Sequence, residues 1–276
     1  MKGSFWKLLL KVAAAGLLCV VLFFANAFFG NPLSAALARV AADRYVAQEY
    51  GHLDVKIEKV GYDFKSGNYY AHVSSPTSRD TYFTVYISML GKVERDTYDS
   101  VTDGFNTWGR LNEEYRVLVK ETVSGWDWLY EEDILTGDLM GSGYDCGWIE
   151  DYELSRSELV LDGEYDILEL GARHGGIYIS VHDEDVSYKR GAEILSDIAA
   201  RLEDAGIPFF AVDFKLSRPK VEGQPYEDVT LWLLDFPAAD IGGADFEQKV
   251  REGHERTMAY FEEENRLKLE EEKLLK

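Results

Sequence analysis

IYISVHDEDVSYKRGAEILSDIAARLEDAGIPFFAVDFKL, residues 177–216, decides the architecture of the second half of the chain. Ile177, Ile179 and Val181 alternate with other residues at period two, the pattern of a half-buried strand. Ile194, Leu195, Ile198 and Leu202 then recur at three- and four-residue spacing, which predicts a helix closed by Gly206 and Pro208. Phe210, Val212, Phe214 and Leu216 alternate again. Strand, helix and strand in that order imply a parallel pair joined by a right-handed crossover. A third strand at Val229–Leu234, reached through the turn residues from Pro219 to Pro225, adds an antiparallel neighbour and completes a β-α-β-β unit.

Upstream, the pattern blurs between Ser124 and Asp151. Gly137, Gly141, Gly143 and Gly147 sit there among Trp126, Trp128, Tyr144 and Trp148, which reads as a linker with irregular structure over 124–151. Before it, Val101, Phe105, Trp108, Leu111, Tyr115 and Leu118 mark a helix. Four strand-like segments precede that helix. Val55 and Ile57 alternate with charged residues, and Val60, Tyr62 and Phe64 resume one residue out of phase, which predicts a bulge. Ser66-Gly67-Asn68 turns the chain into Tyr69–Val73, Tyr82–Ile87 follows a Ser/Pro-rich loop, and a short strand surrounds Val93. Asn31-Pro32 starts an earlier helix with Leu33, Leu37, Val40, Ala41 and Tyr45 on one face and Gly51 as its stop. Residues 244–274 form a charged final helix packing through Phe246, Val250, Tyr260 and Phe261. The expected fold is α+β, with two small domains, 31–123 and 152–276, whose sheets are mainly antiparallel.

Residues 12–30, VAAAGLLCVVLFFANAFFG, carry no charge and follow Lys2, Lys7 and Lys11 in a basic start over 1–11. As a helix the run would measure about 28 Å, close to the hydrocarbon thickness of a bilayer. It is therefore read as an N-terminal transmembrane helix, a signal anchor with its start in the cytoplasm and the C-terminus outside. Ala25-Asn26-Ala27 offers an alternative, cleavage after Ala27 and secretion. Phe28 and Phe29, aromatic residues suited to an interface, favour the anchor.

The formal charge is −21, and none of the 50 acidic residues lies within residues 1–31, whereas three of the 29 basic ones do. So acidic a chain is not expected to bind nucleic acid, which needs Lys and Arg on its phosphates. Aromatic residues at 13% and apolar residues at 46% supply packed cores. The two cysteines, Cys19 and Cys146, form neither a disulfide framework nor a Cys-rich zinc site.

Motifs of chemistry are thin. His52, His72, His174, His182 and His254 show no HxxxH, HExxH or HxH spacing. His182, Asp183 and Asp185 gather beside Glu184 at a strand end as weak metal candidates, since hard carboxylate oxygens hold Ca²⁺. The bland reading is stronger: Asp185 or Ser187 caps the next helix. Cys146, with His174 or His182 as base, is a remote nucleophile candidate, more simply a small apolar filler. Glu131, Glu132, Asp133, Glu150 and Asp151 lie beside tryptophans, the ingredients of an envelope-polymer hydrolase. Tyr69, Tyr70, Tyr82, Tyr86, Trp126, Trp128 and Trp148 are candidate stacking platforms.

GNYYAHVSSPTS (67–78), FNTW (105–108), EEYR (113–116), DEDVSYKRGAEIL (183–195) and GIPFFAVDF (206–214) resemble the YfjL-like family. That resemblance implies a membrane-anchored protein of Gram-positive bacteria with an N-terminal and a C-terminal domain. It implies no catalytic residue and no cofactor. The expected function is a non-enzymatic, envelope-associated binding or interaction protein, held in the membrane through residues 12–30 and meeting an envelope or membrane-protein partner. A hydrolase using the 126–151 carboxylates and a weak Ca²⁺-binding surface protein are the alternatives.

Overall fold

The structure is a computed structural model that describes residues 2–127, 133–141, 143, 146, 148–149, 152–220 and 229–274. Among the described residues, eight strands form two four-stranded sheets. The chain divides into two compact units, Met1–Thr107 with Leu159–Gly163, and Trp108–Glu158 with Glu164–Lys276.

Unit 1 begins with helix α1 (Lys2–Phe29) and helix α2 (Pro32–Glu49). The expected transmembrane helix over 12–30 is corrected, because among the described residues no helix is long and apolar enough to cross a membrane. Helix α1 also differs from the expected segment in two respects. The helix takes in Lys2, Lys7 and Lys11 rather than starting after them. Its final turn is held by the protein: the Tyr62 hydroxyl donates to the Ala27 carbonyl at 3.0 Å, and the Phe28 and Phe64 rings lie 6.2 Å apart. The signal anchor and the single-pass placement at the cell membrane, with cytoplasmic start and external C-terminus, fall with that span.

Helix α2 is capped as its sequence predicts. Pro32 opens it, and the Asn31 side chain accepts the Ser34 N–H at 2.8 Å. The face it buries is rotated from the expected one: Ser34, Ala38, Ala42 and Val46 are inside, Ala41 and Tyr45 of the expected face pack against the core, and Leu33, Leu37 and Val40 are exposed. Small residues let the helix approach a sheet whose own Tyr69, Phe83, Val85 and Ile87 fill the layer. That sheet is an antiparallel meander of β1 (Lys56–Asp63), β2 (Asn68–Ser74), β3 (Tyr82–Ile87) and β4 (Val93–Asp96). The predicted bulge in β1 is present as a register shift between Ile57 and Lys59. The β1–β2 turn forms at Gly67, which has φ +71°. Helix α3 (Asp99–Thr102) follows β4, and residues 159–163 join this unit through Asp80 and Asp162. Each of those carboxylates accepts the other residue's backbone N–H, at 2.9 and 3.2 Å.

Unit 2 holds helix α4 (Phe105–Val123) from Trp108 onward, then β5 (Ile134–Asp138), α5 (Ile167–His174), β6 (Gly176–His182), α6 (Tyr188–Asp204), β7 (Ala211–Ser217), β8 (Thr230–Pro237) and α7 (Phe246–Leu274). The strands run in the order β5-β6-β7-β8, with β6 and β7 parallel and the outer pairs antiparallel. The β6-α6-β7-β8 stretch is the β-α-β-β unit read from the sequence. Ser187 caps α6 by accepting the Arg190 N–H at 3.1 Å. Gly206, at φ +71°, ends that helix, with the Ile207 N–H returning to the Leu202 carbonyl.

Tyr115 of α4 is fully buried in this unit, and its hydroxyl donates to the Pro208 carbonyl at 2.8 Å. A methyl group at Gly171 would lie 2.6 Å from the ring and 2.9 Å from the Pro208 oxygen; one at Gly175 would lie 2.6 Å from the hydroxyl. Gly171→Ala therefore overpacks the site and lowers unfolding free energy by about 1–3 kcal/mol in a urea titration. The cost shrinks in combination with Tyr115→Leu, because the two changes share one space. A fully additive double mutant contradicts this account.

Candidate functional site

The alternation of β8 breaks at its centre, where Leu233, Leu234, Asp235 and Phe236 are all buried. Pairing with β7 steps from Val212↔Phe236 to Phe214↔Leu233, so one residue of β7 faces two of β8. This is a bulge, and Asp235 occupies it at φ +44°, a left-handed conformation that Asp tolerates better than most side chains. The bulge turns the Asp235 N–H onto the Asp213 carboxylate at 2.8 Å. The Asp235 carboxylate accepts the Tyr152 hydroxyl at 2.9 Å and a hydrogen bond from the Cys146 thiol. Asp138, at the end of β5, adds a third carboxyl, which accepts the Met140 N–H at 3.0 Å.

Burial governs the protonation of these groups. Burial, against the lowering pull of the Asp235 N–H and with smaller raising effects from the charges of Asp235 and Asp138, brings the Asp213 carboxyl up to about 7. Burial likewise raises Asp138 and Tyr152. The Cys146 thiol is pushed up to about 12 by burial and by Asp235, so at neutral pH it is a thiol and a poor nucleophile. The histidines considered as its base are engaged elsewhere. His174 Nδ1 lies 2.9 Å from the Tyr152 carbonyl, and His182 Nδ1 lies 3.0 Å from Asp133.

The weak metal candidates are spread among local partners. Asp183 receives Arg190 through Nε and a terminal nitrogen, each at 2.8 Å, and the Asp185 N–H at 2.9 Å. Asp185 itself is exposed. Among the described residues, no group of three or more His, Cys, Asp or Glu side chains is placed to hold a metal ion. Of the hydrolase carboxylates, Asp133 is buried beneath His182, and Glu131, Glu132, Glu150, Asp151 and the neighbouring Trp128 lie outside the described residues. Among the stacking candidates, Tyr69 is in the core with its hydroxyl on Asn31, and Tyr86 lies under Arg95 at 3.9 Å. Trp126 faces Arg201 at 5.4 Å, and Trp148 donates to the Leu234 carbonyl at 3.3 Å.

Sequence reasoning missed a pocket in unit 2. An open apolar pocket of about 660 Å³ lies among α5, α6, the Gly206–Phe209 connection and the segment after β8. Ala172, Ala199, Ala200 and Ala238 leave the space, and Ile207 and Phe209 supply its apolar wall. Its signal was the run of alanines on α6 and the Gly-Ile-Pro-Phe that follows. The signal for the carboxyl cluster was an Asp inside the apolar run LWLLDF.

These features define a two-domain α+β protein with a carboxyl cluster and an apolar pocket in its second domain. The profile described as "YfjL-like, N-terminal domain" matches residues 5–97, and that described as "YfjL-like C-terminal domain" matches residues 114–251. The chain belongs to the YfjL-like family. No curated protein and no solved structure matches it.

With its folded value raised above the ordinary carboxylate range, Asp213 binds a proton more tightly in the folded state than in the unfolded one. Its contribution to stability is complete below about pH 4 and is lost as pH rises toward 7 and beyond. Asp213→Asn stays neutral and keeps an acceptor for the Asp235 N–H. The variant should be more stable than the parent at pH 8 by about 1–3 kcal/mol, with the difference vanishing near pH 4. Urea titrations between those pH values check the sign.

Proposed function

We propose that the chain is a non-enzymatic binding protein whose second domain takes a small, largely apolar molecule in the pocket between α5 and α6. The pocket itself carries this reading: about 660 Å³ with a predominantly apolar lining lies within the usual range of small-molecule sites. The titratable groups elsewhere in the same unit fit this reading. The cysteine is held as a thiol, and the Asp235 carboxyl is buried.

Methyl NMR on the full chain with the neutral probe naphthylmethanol tests the proposal. Saturable shifts are expected at Ala172, Ala199, Ala200 and Ile207. Ala199→Phe, which places a ring in the space without altering the buried side of α6, should weaken binding at least tenfold while leaving the melting temperature within a few degrees. Shifts confined to methyl groups outside these four, or unchanged affinity in Ala199→Phe, overturn the proposal.

A further inference from the structure

We infer that the ligand of this pocket is an apolar molecule bearing a cationic head, such as an organic ammonium; the inference rests on the proposed binding role of the same pocket. Glu203 is the one charged side chain among the residues that line it. That side chain is exposed at the last turn of α6, so it stands at the pocket's edge rather than in its floor. Ser196, Ala199, Ala200 and Glu203 all line the pocket, which therefore runs along the C-terminal half of a 17-residue helix. The C-terminal end of a helix carries about half a negative charge, and it favours cations placed near it. A carboxylate and a helix C-terminus thus set the same sign at the same rim.

An anionic ligand meets the opposite arrangement. No Lys, Arg or His side chain is among the lining residues. The overall formal charge of −21 disfavours an anion at every distance within the Debye length. A neutral ligand would fill the apolar wall formed by Ile207 and Phe209 and leave the Glu203 carboxylate unused. The Ser196 hydroxyl, on the same side of α6, adds a hydrogen-bond acceptor for an ammonium N–H.

The test compares three probes of one shape on the full chain: naphthylmethylammonium, naphthylmethanol and naphthoate. At low salt the ammonium is expected to bind about three- to tenfold more tightly than the alcohol, as one partly exposed carboxylate with a helix end provides. Naphthoate is expected to bind most weakly. Glu203→Gln should bring ammonium and alcohol to within about twofold of each other while leaving alcohol affinity unchanged, which separates the local carboxylate from the general charge of the chain. Equal binding of ammonium and alcohol by the parent chain, or a preference undiminished in Glu203→Gln, overturns the cationic assignment and leaves the pocket as an apolar site. Failure of all three probes to shift the pocket methyl groups overturns the binding role itself.

Discussion

Tyr115 is the contact on which the second unit depends. Its ring is wholly buried and passes beside Gly137 of β5 and Gly171 of α5, and its hydroxyl reaches the Pro208 carbonyl. One side chain therefore ties α4, β5, α5 and the approach to β7. The geometry permits almost no alternative, because side chains at those glycines would occupy the ring's own volume. A buried phenol with its hydroxyl satisfied adds direction to apolar burial, so α5 is fixed in angle as well as in depth. Pro208, held from below in this way, is also part of the pocket lining.

The opposite edge of the same sheet solves a different problem. β8 is an edge strand, and its outward N–H groups would be open to pairing with another chain. Helix α7 supplies the acceptors: His254 Nδ1 lies 3.2 Å from the Trp232 nitrogen, and the Thr257 hydroxyl accepts from Leu234 at 3.1 Å. The bulge then removes Asp235 from the ladder and redirects its N–H inward onto Asp213. Side chains of a helix thus complete the strand up to the bulge, and a carboxylate completes it at the bulge.

Elements governed by local pattern were legible. Period-two runs located the strands other than β5, which lies inside the stretch read as a linker. Gly67 marked the β1–β2 turn, Gly206 marked the end of α6, and Ser187 was one of the two caps read for its start. Features set by a partner surface were not. The apolar side of α2 looked like Leu33, Leu37 and Val40, yet the sheet was already filled by aromatic rings and accepted the small side with Ala38 and Ala42. The spacing of Leu111 and Tyr115 showed a helix without showing which glycines would receive it. For residues 12–30, absence of charge, length, the lysines on one flank and the aromatic Phe28 and Phe29 were read as a bilayer span, and none of these anticipates the tyrosine that holds Ala27. At the candidate site, the metal reading counted nearby carboxylates in sequence, whereas Asp183 is engaged by Arg190 seven residues later. The pocket was hardest to read, since alanines that leave a space look the same in sequence as alanines that close one.

Cluster and pocket are joined by a short length of chain. Asp235 stands two residues before Pro237, which ends β8, and the next residue, Ala238, lines the pocket while its N–H donates to the Phe210 carbonyl at 2.9 Å. The extra residue at the bulge sets the phase in which β8 leaves the sheet, and hence which side of the following segment faces α6. A strand without it would bring Ala238 out on the opposite face, because a one-residue slip inverts every side chain after it. The left-handed Asp235 is therefore tied to the pocket wall by register. Its carboxylate, held by Tyr152 and placed over Asp213, keeps in place a backbone conformation that an isolated strand would abandon.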